Sequence, residues 1–254
     1  MSELTLRPIH AAVMIGRCVR LSRRNIDALL TSLLLPVILM LLFVYLFGGA
    51  IETGSAYVTY VVPGVLLLCA GFGAAGTAVS VTIDLTTGMI ERLRTMDVGA
   101  TSILAGHVVA SVARNTVSTV LVLGVAVAIG FRPAVAPLRW LAAAGVLLLF
   151  LLAVSWLSAA FGLLARTPEA ANGYTFIVMF LPYPSSAFVP VETMPSWLRG
   201  FAEHQPVTPV IESLRGLLLD TPVGTAPTRA AAWCLALLAL AMLLSALLFP
   251  RRIA

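Results

Sequence analysis

Six long apolar stretches, joined by short polar loops, constrain this chain more than any other feature. They are Leu29–Ala50, Tyr57–Ile83, Gly106–Ile129, Leu138–Ala165, Gly173–Val189 and Ala230–Phe249. A bilayer hydrocarbon core about 30 Å thick needs roughly 20 apolar residues per crossing helix. Six such stretches cover more than half of the sequence and leave little for a soluble domain. The expected fold is all-α and integral to a membrane, a six-transmembrane-helix bundle forming a single domain over residues 1–254.

Charge assigns the sides. The chain has no lysine, and its sixteen basic residues are all arginine. One set of loops carries Arg7, Arg17, Arg20, Arg23, Arg24, Arg92, Arg94, Arg166, Arg251 and Arg252. The other set carries Arg132, Arg139, Arg199, Arg215 and Arg229. The excess places the first set, with both termini, in the cytoplasm. Arginines that flank spans in this way face anionic lipid, so the net charge of +5 implies no nucleic-acid partner. The stretch before the first span is long, polar and Arg-rich and lacks a cleavage pattern, so no cleavable signal is expected. Residues 1–28 are predicted to hold an amphipathic helix along the inner surface. Its apolar stripe is Leu6, Ile9, Val13, Ile15, Val19 and Ile26, and both simple anchoring and contact with a cytoplasmic partner are open as its role.

Several chemistries are excluded by composition. A Walker A loop and a Schiff base both require lysine. Every carboxylate falls in a loop or at the end of a span, and no histidine pair has zinc-ligand spacing. Cys18, Cys69 and Cys234 are far apart and read as small apolar fillers. Ser155, Ser158 and Ser245 suit helix packing, and Gly71, Gly73 and Gly76 suit close helix approach. Arg114 lies 16 residues before Gly130, about 24 Å of helix; it is expected near the inner interface as a snorkelling anchor, with His107 interfacial too. A transporter's shape without an intramembrane coupling group requires that a partner supply the energy.

Two segments break the alternation of span and loop. In the stretch 84–105, Gly88 and Gly99 bracket MIERLRTM, where Met89, Leu93 and Met96 share one helical face while Glu91, Arg92 and Arg94 project elsewhere. That pattern reads as a short helix docking into a groove on another protein. The stretch 190–228 has apolar residues at helical spacing in MPSWLRGFAEH and PVIESLRGLLLD, neither long enough to span. Re-entrant or surface-lying external helices are expected there, between spans five and six, with Trp197 at an interface.

The sequence GMIERLRTMDVGATSILAGHVVA resembles the coupling segment of ABC-2 type exporter permeases. FLPYPSSAFVPVETMPSWLRGFAEHQPVTPVIESLRGLLL resembles the region between spans five and six in the same family, especially in its daunorubicin-resistance type. Asp97 stands where relatives commonly have proline. The resemblance implies a multidrug efflux permease of the bacterial plasma membrane that is not itself an enzyme. By its pattern a second permease chain, identical or paralogous, pairs with this one, and each docks a cytoplasmic ATPase that binds ATP and magnesium. Met89, Glu91, Arg92, Leu93, Arg94 and Met96 would couple to that ATPase, and no cofactor is expected in this chain. Phe72, Phe176, Met179 and Phe180, on spans two and five, would line the substrate cavity. The implied cargo is a hydrophobic drug or lipid-like compound. A glycolipid, polysaccharide or cell-wall lipid exported by the same machine is the alternative, followed by a non-transporting scaffold.

Overall fold

Away from water a backbone must bond to itself, and the α-helix does so within one segment. Every regular element among the described residues of the computed structural model is helical. The structure describes residues 3–24, 26–51, 56–95, 98–133 and 136–253. In chain order the helices are α1 (Glu3–Arg24), α2 (Ile26–Leu42), α3 (Tyr57–Thr86), α4 (Met89–Thr95) and α5 (Ala100–Ala128). They continue with α6 (Pro137–Leu164), α7 (Pro168–Phe180), α8 (Ser196–His204), α9 (Val207–Leu219) and α10 (Ala226–Ile253). Four of them, α3, α5, α6 and α10, are long and apolar enough to cross a membrane.

The first and fifth predicted stretches take other forms. α2 contains Pro36 and passes into a π-helical turn, Phe43–Phe47, so the first stretch is helical but irregular. The fifth is not one helix. α7 starts before Gly173, capped by Thr167, whose hydroxyl accepts from the Ala170 N–H at 3.3 Å, with Pro168 at the first helical position. It stops at Phe180 because Pro182 and Pro184 lack the N–H that a continuing helix needs. The chain then turns back against α3. Tyr57 donates its hydroxyl to the Phe188 carbonyl at 2.9 Å, and a Cβ on Gly64 would lie 2.6 Å from that of Ala187.

α3 is the central column: its residues from Val61 to Gly71 are buried on every face. Small residues let its neighbours close in. A Cβ on Gly162 of α6 would sit 2.6 Å from the Ala78 carbonyl, and the Thr82 hydroxyl donates to Gly162 O at 2.9 Å. Two apolar cores flank this level. The larger, at the α8–α9 end, joins α3 to α6 and α9 through residues such as Leu67, Leu151, Ile211 and Leu214. The smaller, at the α4 end, gathers Met14, Val81, Ile90, Leu93, Leu104, Leu163 and Phe249.

α1 does not lie alone. It runs beside the first half of α5, so close that a Cβ on Gly106 would meet the Met14 backbone at 3.1 Å. The side that it buries differs from the predicted stripe: Met14 and Cys18 are buried, whereas Val13 is exposed. Gly106 makes the difference, since only its lack of a side chain admits the Met14 face.

Candidate functional site

A cavity of about 960 Å³ opens between α1, α2, α3, α5 and α7. Along α3 its lining changes from Phe72 to Asp84, a distance of about 18 Å at helical rise. Three of the four predicted cavity residues, Phe72, Phe176 and Met179, line it, joined by Leu35 from α2. Phe180 is not among the lining residues. It is exposed, and its ring centroid stands 5.9 Å from that of Phe176. A continuous ladder of rings leads away from it: Phe180 to Tyr183 at 5.5 Å, Tyr183 to Phe188 at 5.4 Å, and Phe188 to Phe43 at 4.3 Å.

The polar wall of the cavity was not legible as a unit in the sequence. Arg17 donates twice to Asp84, from Nη1 to Oδ2 at 2.8 Å and from Nη2 to Oδ1 at 3.1 Å. His107 Nε2 stands 3.1 Å from the same Oδ2. A carboxylate only accepts, so His107 carries its proton on Nε2. The hydrogen bond to Asp84 holds the Arg17 guanidinium charged even more firmly than usual, against the cost of burial. These residues lie 67 and 23 positions apart, so spacing alone gave no hint of the cluster. His107 is buried in this cluster. Beside the cluster, burial pushes the Cys18 thiol up to about 11, which leaves it an inert apolar filler at neutral pH.

Arg114 closes the wall. Nη1 donates to Ser22 Oγ at 2.9 Å, and Nη2 donates to the Gly73 carbonyl at 2.8 Å and more weakly to Thr77 Oγ1 at 3.4 Å. The expected snorkelling anchor therefore binds α1 and α3 and lines the cavity. A Cβ on Gly73 would overlap the Asn115 side chain, and one on Gly76 would lie 3.6 Å from Arg114 Nη2. Gly71, the third glycine of the set, is similarly approached by the Met179 backbone at 3.5 Å.

α4 forms where its bracketing glycines predict. Gly88 adopts φ +71°, a left-handed conformation that glycine takes without strain, and this lets the chain leave α3 and restart. The inner face of α4 packs on the protein itself. Leu93 and Ile90 are buried in the protein's own smaller core, and Met89 packs against it. A seven-residue helix carries one apolar face, and the bundle beneath it has taken that face. Glu91 and Arg92 are exposed, and Glu91 shares a smaller cavity of about 210 Å³ with Arg166 and Arg252. Met96 and Asp97 lie outside the described residues, as does the side chain of Arg94.

At the other end α8 and α9 occupy the stretches expected to be helical. Arg215 of α9 donates from Nη2 to Ser186 O at 2.7 Å and Tyr60 O at 3.1 Å, and its Cζ lies 3.7 Å from the Tyr60 ring centroid. Burial lowers the pKa of Arg215, and that cation–π contact returns part of the cost. This one side chain ties α9 to both α3 and the turn after α7.

Residues 10–219, which contain both the cavity and α4, match the family model described as ABC-2 type transporter. The chain is similar to the daunorubicin resistance ABC transporter permease protein DrrB1 of Streptomyces coeruleorubidus. The two are 32% identical over 195 residues, 76% of this chain and 69% of that relative. It is also similar to proteins of two Mycobacterium tuberculosis strains described as probable doxorubicin resistance ABC transporter permease protein DrrC. That match is 24% identical over 205 residues, 79% of this chain and 73% of the relative.

Proposed function

This chain belongs to the ABC-2 type transporter family, and from that premise we propose that it is the membrane subunit of an ATP-driven exporter of hydrophobic drugs or lipid-like compounds. The observation that carries this reading is the 960 Å³ cavity faced by Phe72, Phe176 and Met179. Its volume is at the upper end of small-molecule sites. The printed names of the relatives, daunorubicin and doxorubicin resistance permeases, support a drug-like cargo.

In this reading α2 with its π-helical turn, and α7 with the turns that follow, complete six crossings alongside the four long helices. Both termini then face the cytoplasm of a bacterial plasma membrane. α8 and α9 form the re-entrant external cap. A second permease chain, identical or paralogous, pairs with this one, and two cytoplasmic ATPase subunits bind ATP and magnesium and dock against α4. Contact with the ATPase is made by the outward residues Glu91 and Arg92, with Arg94 and Met96 as further coupling residues. Leu93 and Met89 transmit the push by linking α4 to the core beneath it. Displacing α4 then moves α3, the wall of the cavity, through one turn at Gly88.

The test is ATP-dependent uptake of a lipophilic fluorescent drug into inverted vesicles that contain this chain and its cognate ATPase. Uptake is expected to need ATP, and the double variant Glu91→Arg, Arg92→Glu is expected to lower it about tenfold by breaking the docking contact. Unchanged uptake in the double variant, or equal uptake without the ATPase, would overturn the reading.

A further inference from the structure

Among the described residues, the charges around the cavity do not balance. Asp84 is the carboxylate among its lining residues, and both of its oxygens are occupied, by Arg17 and His107. Arg114, on the same wall, has no carboxylate within 4 Å among the described residues. Among the described residues its three hydrogen bonds go to neutral oxygens and run from Nη1 and Nη2. A guanidinium has five N–H donors, so donors and a full positive charge remain for whatever occupies the space in front of it. That space is bordered by Phe72, Phe176 and Met179. Gly76 lines the same cavity, and a Cβ there would stand 3.6 Å from Nη2, so a larger side chain is placed to crowd it.

We propose that Arg114 is the recognition point for an anionic group, so that the cavity takes an amphiphile bearing a carboxylate or phosphate on an apolar body. The assignment rests on the proposed function only in taking this cavity as the cargo site. A buried or half-buried cation facing an apolar wall gains most from an anion that fits its fork. The apolar part of the ligand lies against Leu35, Phe72 and Phe176. The anion has two possible sources, the exported molecule or a membrane lipid headgroup, and their chemistry at Arg114 is the same.

Binding to the purified full-length chain in phosphatidylcholine nanodiscs tests this without the ATPase. The probes are dansyl-aminoundecanoic acid and its methyl ester, which share a body and differ in charge, titrated by fluorescence at neutral pH. The acid is expected to bind at least about tenfold more tightly than the ester. Arg114→Gln should remove that difference and Arg114→Lys should keep most of it. Gly76→Leu covers the guanidinium without removing it and should also abolish the difference, so the outcome does not depend on one variant folding. Equal affinity of acid and ester in the unaltered chain, or a preference that survives both Arg114→Gln and Gly76→Leu, would overturn the proposal. Repeating the titration with about a fifth of the lipid as phosphatidylglycerol separates the two sources. Weakened acid binding identifies a lipid headgroup as the competitor, and unchanged binding identifies the exported molecule. Loss of the acid preference alongside intact ATP-driven uptake would refute Arg114 and leave the exporter standing; the reverse result would do the opposite.

Discussion

At Asp84 a carboxylate with 12% of its side chain exposed is held by a guanidinium and an imidazole, themselves largely buried. Removing Asp84 leaves the Arg17 guanidinium charged and unpaired in a poor solvent, which costs about 3 kcal/mol or more. Asp84→Ala is therefore expected to lower the melting temperature in detergent markedly and to loosen α1, as seen by faster proteolysis of the N-terminal helix. Melting and cleavage that match the unaltered chain would show that Asp84 carries no such load. Glu212 works with the opposite sign. Burial pushes its carboxyl up, and Arg229 and Arg215 pull it back only in part. The native state thus holds this proton more tightly than the unfolded chain does. The resulting stabilisation is complete below the ordinary glutamate value of about 4.3 and is lost as pH climbs through the raised one. Glu212→Gln copies the protonated form and should flatten the decline of melting temperature over that range. An unaltered slope would assign the decline to another group.

For elements, the contact of α3 with α6 shows what small residues contribute. A methyl group at Gly162 would press on Ala78 O at 2.6 Å and on the Val81 Cβ at 2.8 Å, all within backbone or short side chains that cannot swing away. Gly162→Ala should therefore push α6 off α3 and stretch the Thr82 hydrogen bond, with a loss of about 1–3 kcal/mol. Gly145 of the same helix faces open space, and Gly145→Ala should gain up to about 1 kcal/mol of helix propensity. Melting curves for the pair provide an internal control, and a result in which both variants behave alike would remove packing as the cause. α4 presents the same logic from outside. Its inner residues belong to the bundle and its outer pair, Glu91 and Arg92, is free to meet a partner.

Across the whole molecule, α3 connects the features that matter. It borders the cavity from Phe72 to Asp84, leads into α4 through Gly88, and receives α9 through the Arg215 contact at Tyr60. Any force on α4 and any ligand in the cavity therefore act on one helix. The double variant at Glu91 and Arg92 tests how force enters α3. It should leave the melting temperature of the isolated chain unchanged while the ATPase no longer copurifies. A fall in melting temperature of the isolated chain would instead mean that the two residues serve the fold.

Apolar runs, the four long helices and the glycine brackets around α4 were determined by the sequence alone, because hydrophobic period and backbone freedom are local properties. The same holds for the helices of the stretch 190–228. Two kinds of feature were decided only by the tertiary structure. Which face of a short helix turns inward depends on what lies beneath it, so Ile90 and Leu93 went to the core. Which charges meet depends on contacts between distant helices, so Arg17, Asp84, His107 and Arg114 became one wall although nothing in their spacing joins them. Helix formation is decided within a few residues of chain, whereas a charge finds its partner only once the helices have packed.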